Sequence, residues 1–165
     1  MFPGFEKSRI PIARFLCRQG HRTFSLLPIQ LIPYAQYTLS AVVRTLLVGW
    51  GCWQAGQRGF FGASLRVDPE SLLTPWLVFC WLRLVVRGLR RAHAVLGRLY
   101  DLGSVYTSAG AVPWEEAAGY FVAFGWQPQI RAGPLLQPLL QRYSRLTRQF
   151  LFGTPSQQRA AIGQP

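Results

Sequence analysis

Apolar residues recur at three- and four-residue steps over most of this chain, and that period constrains its fold more than any other feature. Leu39, Val42, Val43, Leu46 and Leu47 fall on one face of a helix expected over residues 35–50. Leu82, Val85, Val86, Leu89, Val95, Leu96 and Leu99 do the same within 77–102, read as one long helix or as two broken near Gly88. A shorter helix is expected over 114–124, with Glu115 and Glu116 in its first turn. Gly133-Pro134 starts a last one over 135–151, lined by Leu136, Leu139, Leu140, Tyr143 and Leu146. Helices with one apolar stripe bury it against one another, so the expected fold class is mostly α, a helical bundle.

The punctuation divides the chain further. Residues 1–9 read as a disordered start, 10–28 as a β-hairpin, 29–152 as the helical domain and 153–165 as a flexible tail. Gly49, Gly51, Gly56, Gly59 and Gly62 break regularity after the first helix, leaving at most one turn over 53–57. Residues 103–111 read as a flexible loop. Asp68-Pro69-Glu70-Ser71 is the best helix start, with Asp68 as N-cap and Pro69 at the first helical position. Pro75 lies too deep for that first turn, which predicts a kink or restart near Thr74. Segments 37–50, 53–61 and 69–82 have the order of a helix-turn-helix unit within about 35–83. Its expected base-reading positions are Glu70, Ser71 and Thr74.

The N-terminal stretch reads as half of a zinc ribbon. An apolar run over 10–16 leads to Cys17, a polar turn follows, and a second run from Arg22 stops at Pro28. Cys17 and His21 supply two ligands where a tetrahedral site needs four, and Gly20 stands where the tighter spacing would put the second. Cys52, Cys80 and His93 are scattered through helical segments. Cys17 and His21 are therefore read as vestigial, and no metal or other cofactor is expected.

The run Ile12-Ala-Arg14-Phe-Leu-Cys17, then His21-Arg-Thr-Phe-Ser-Leu-Leu-Pro28, then Leu31-Ile-Pro33-Tyr34 and Tyr37 resembles a family of uncharacterised bacterial proteins. That family is similar to transposase-associated N-terminal regions with a four-cysteine ribbon, a TFS-x-LP-x-x-L-x-PY-x-x-Y element and a helix-turn-helix-like part. This chain lacks the first cysteine pair. The resemblance implies DNA association and a link to a mobile element, and it implies no reaction.

Charge points the same way. Eighteen basic residues, seventeen of them Arg, stand against six acidic ones, a formal net charge of +12. Solvation alone does not require one sign. Arg83, Arg87, Arg90, Arg91 and Arg98 would share a broad face of one continuous helix, with His93 among them. Arg142, Arg145 and Arg148 repeat the theme near the C-terminus. These eight arginines are the candidate nucleic-acid-binding residues.

Several classes are disfavoured. Asp68, Asp101, Glu115 and Glu116 offer no converging set for two-metal chemistry, and no nucleophile triad or phosphate loop appears. No catalytic residue is expected. The apolar windows 41–53 and 75–86 are interrupted by Arg44 and Arg83 and fall short of the roughly 20 residues needed to span a bilayer. Three irregularly spaced cysteines and the lack of a secretory signal suit a cytoplasmic protein. The expectation is a non-catalytic DNA-binding protein with DNA as partner, no membrane partner, and a homodimer as one admitted state. The alternative is a helical protein-interaction module or a decayed, functionless fragment. Elemental analysis of the purified chain should find far less than one zinc per molecule, since a two-ligand site does not survive a chelator. About one zinc per monomer would restore the ribbon.

Overall fold

A computed structural model of the chain describes residues 9–26, 31, 37–67, 73–105, 112–128 and 132–152. Among them are two short strands, β1 (Ala13–Cys17) and β2 (Arg22–Leu26), followed by α1 (Leu39–Gln54), α2 (Gly59–Val67), α3 (Pro75–Leu96), α4 (Pro113–Ala123) and α5 (Ala132–Thr147). The protein is mostly helical. The strands pair antiparallel, with Ala13 opposite Leu26 and Cys17 opposite Arg22. Every residue of β1 is exposed, so that strand contributes nothing to the core.

Helix α1 is the centre of the bundle and packs on all four other helices. Its five expected face residues are buried, and so are Thr45, Val48, Gly49, Trp50 and Cys52, which enclose it almost all round. The helix begins at Leu39 rather than at residue 35 because Thr38 caps it. The Thr38 hydroxyl accepts the Ala41 N–H at 3.2 Å. It also outruns its expected end, because Gly49 and Gly51 serve as contact points and not as breaks. It stops at Gly56 (φ 73°), where the Gln57 N–H bonds to Cys52 O at 2.9 Å and the Gly56 N–H to Trp53 O at 3.0 Å. That pairing is the Schellman motif, which favours glycine in the left-handed region.

The expected second segment, 53–61, is thus replaced by α2, which starts six residues later at Gly59. Gly59 and Gly62 lie inside or at the start of this helix because close packing outweighs their poor propensity. A Cβ on Gly62 would stand 2.8 Å from the Cys52 sulfur. One on Gly59 would stand 2.7 Å from the Trp114 indole nitrogen.

The expected helix start at Asp68 lies outside the described residues. Helix α3 starts at Pro75, with Thr74 as its N-cap accepting the Leu77 N–H at 3.2 Å. It runs unbroken through Gly88, which is a docking niche: the space a Cβ would take there is filled by the Phe152 ring. Beyond Leu96 the chain turns, and Asp101 takes a left-handed conformation (φ 48°).

Helix α4 is opened by Glu115, whose carboxylate accepts the Val112 N–H at 3.2 Å. It closes in a second Schellman motif at Gly125 (φ 70°), where Trp126 stacks on Phe121 at 5.4 Å. Helix α5 ends at Thr147 and not near residue 151. Arg148 turns left-handed (φ 56°), and the chain folds back to bury Leu151 and Phe152 as non-helical core residues.

The tightest joint is between Gly49 and Gly59. A Cβ on Gly49 would lie 2.7 Å from the Trp114 ring and 3.0 Å from the Gly59 carbonyl oxygen. Alanine would gain up to about 1 kcal/mol in helix propensity, but the neighbours are an enclosed ring and backbone. Gly49→Ala should therefore destabilise the protein by about 1–3 kcal/mol net in denaturant unfolding. An increase in stability would show that the joint is looser than the geometry indicates.

Candidate nucleic-acid interface

The outer edge of α3 carries Trp76, Cys80, Arg83, Arg87 and Arg90 at steps of four, three, four and three residues. That spacing keeps them in one stripe along the helix. All five are exposed, while Val78, Trp81, Leu82, Val85, Val86, Gly88, Leu89, Ala92 and Leu96 are buried on the opposite side. The apolar face therefore fixes the direction of the stripe. Arg83, Arg87 and Arg90 line a groove of about 220 Å³ between α3 and α4, closed by Pro113 and Glu116.

The arginines are not equivalent. Arg83 lies with its guanidinium over the Phe79 ring, 5.8 Å from the centroid. Arg83 and Arg87 form no ion pair among the described residues. Arg90 does: it donates to the Glu116 carboxylate, 26 residues along the chain. Glu116, followed by Tyr120, raises the Arg90 pKa above its ordinary value. An arginine is already charged at any working pH, so the consequence is positional: Arg90 is held toward α4. Arg91 is half-buried at the edge of the stripe.

Two expected members lie elsewhere. Arg98 follows the end of α3 and is exposed in the terminal turn, so it does not continue the helical face. Leu99, expected opposite it, is 64% exposed. His93 belongs to the packing and not to the stripe: its Nε2 is 2.8 Å from Gly103 O, and its ring meets Tyr120 and Phe124 edge-on. Near the C-terminus, Arg142 and Arg145 are exposed on α5, with Arg142 over the Tyr100 ring at 4.7 Å. Arg148 is exposed but past the end of α5, and Leu146, expected on the buried face, is exposed as well. Tyr100 follows the C-terminus of α3, about 20 Å of helix away from Arg83. The two basic groups thus occupy different places on the surface.

The other expected sites are dispersed. Thr74 is occupied as a helix cap, and Glu70 and Ser71 lie outside the described residues, as does Asp68. Asp101 is exposed in its turn, Glu115 caps α4 and Glu116 pairs with Arg90, so the described carboxylates do not converge. Cys17 and His21 flank the turn between the strands, Cys52 is buried and Cys80 exposed. Among the described residues no three His, Cys, Asp or Glu side chains group to hold a metal ion. None of the described helices is long and apolar enough to cross a membrane.

Trp76 was assigned by sequence only to the run of a helix. It is 69% exposed, the largest fraction among the exposed large hydrophobic residues described. The signal for it was its place seven residues before Arg83, two turns along the same stripe. No protein-family model, curated protein or solved structure matches the chain.

Proposed function

We propose that this is a non-catalytic DNA-binding protein that holds the phosphate backbone with the outer stripe of α3. The observation that carries the reading is the pair Arg83 and Arg87, one turn apart, exposed, and without an ion pair among the described residues, on a chain of net charge +12. A guanidinium presents a planar fork of donors, so it loses less freedom per hydrogen bond to phosphate than an ammonium does. Arg142 and Arg145 provide a second contact region. The finer reading takes α1, α2 and α3 as a helix-turn-helix-like trio and the strand pair as the remnant of a ribbon. It follows the resemblance to transposase-associated N-terminal regions and, with it, association with a mobile element. Thr74 is used as a cap, so the contacts proposed are to phosphates and not to base edges. The rival, a protein-interaction module, draws on exposed Phe61 and Leu65, one turn apart on α2.

Salt dependence separates the two. Each phosphate neutralised contributes about −0.9 to the slope of log affinity against log salt on duplex DNA. Changing Arg83 and Arg87 together to Gln should flatten that slope by about two and leave the melting temperature unchanged. Glu116→Gln should act in the opposite direction. It releases Arg90 into the groove and should steepen the slope by about one. Salt-independent binding, or slopes that ignore all three substitutions, would remove the α3 stripe from the interface.

A further inference from the structure

We infer that the α3 stripe is a site for single-stranded nucleic acid, with Trp76 stacking on a base and Arg83 and Arg87 holding the flanking phosphates. This rests on the DNA-binding reading and names the form of nucleic acid that the stripe fits. Two features of one surface carry it: an open aromatic face, and cations next to it along the same helix edge.

Trp76 is not a stray exposed side chain. Its ring leans on Phe79 at 5.3 Å and 32°. Phe79 meets Phe60 edge-on at 5.6 Å, and Phe60 packs on Trp114 at 4.9 Å. Trp114 is 2% exposed and sits in the joint between α1 and α2. The exposed indole is therefore the outer end of a row of rings anchored in the core. Such a platform is already ordered, so a base stacking on it costs little extra side-chain entropy. Arg83 lies over the Phe79 ring beside the platform, and Arg87 follows one turn on.

A single strand offers what this surface lacks, an anionic backbone and accessible base faces. A duplex offers the first and hides the second inside its stack. The helix is also badly placed to read a groove. It packs against α1, α2, α4 and α5, so it presents a stripe and not a projecting ridge. An α-helix with side chains is about 10–12 Å across, nearly the whole width of the major groove. An anionic membrane surface would also attract Trp and Arg, and the experiment decides between them.

The test is a fluorescence titration with oligothymidylate, with a duplex of equal length, and with vesicles of mixed phosphatidylserine and phosphatidylcholine. Trp50, Trp81, Trp114 and Trp126 are buried and Trp53 is half-buried, so the most accessible indole emission belongs to Trp76. Expected are quenching by oligothymidylate, tighter binding of it than of the duplex, and no binding to the vesicles. Trp76→Ala should weaken oligothymidylate binding roughly tenfold, the scale of one base–aromatic stack. It should leave duplex affinity and its salt slope unchanged. Trp76→Phe should restore most of the loss. The 69% exposure of Trp76 means that these variants should melt like the parent. Equal oligothymidylate affinity of parent and Trp76→Ala would overturn the base-stacking site and leave the phosphate reading in place. Binding to vesicles but to neither nucleic acid would overturn both in favour of a membrane surface, and binding to none of the three would overturn both outright.

Discussion

Trp114 stands in a slot that only two glycines could leave open. Gly49 of α1 and Gly59 of α2 face each other so closely that a Cβ on either would meet the other's carbonyl oxygen, at 3.0 Å and 2.9 Å. The indole enters from α4 and fills the remaining space. Its buried N–H has no hydrogen-bond partner among the described residues, so shape and dispersion hold it there. Three helices are fixed by this one contact. The row of rings through Phe60 and Phe79 carries its rigidity to the outer edge of α3. The position of the candidate site thus depends on a joint three ring contacts away.

The same packing sorts the arginines. Helix α3 contacts α4, and that contact brings Glu116 to Arg90. An exposed ion pair of this kind adds little stability. Its effect is to turn one cation toward α4 and leave Arg83 and Arg87 as the outward pair. A stripe that looked uniform is in fact graded along its length, from Trp76 through two cations with no ion pair among the described residues to one paired with Glu116.

Most of the helical architecture was legible because its signal is local. The faces of α1 and of the first part of α3 are the ones that the three-and-four spacing marks, since an apolar stripe on a helix has one way to leave water. The misreadings cluster at helix ends. Leu99, Arg98 and Arg148 were placed by extending a period past the point where the helix stops, and Leu146 is exposed in the last turn of α5. Thr38 was available as a cap and was not recognised; near Thr74, where a kink or restart is expected, a helix does start, with Thr74 as its cap and not as a base-contacting residue. Gly49, Gly59 and Gly62 were read as breaks, and Gly88 left open between a break and a continuous helix, because propensity counts only the backbone. Each lies instead where another side chain or backbone needs the volume of a Cβ.

The sequence by itself determined that this chain is mostly helical, which faces of its helices are apolar, and that its surface is strongly positive. These follow from residue type and short-range spacing. The tertiary structure alone decided which arginine pairs with Glu116 and where α3 ends. It also turned Trp76 outward at the head of the basic stripe. The reason is separation along the chain. Glu116 is 26 residues from Arg90, and Phe152 is far from Gly88. Contacts over such distances exist only after the helices have packed, and no local pattern encodes which of several similar residues they will select.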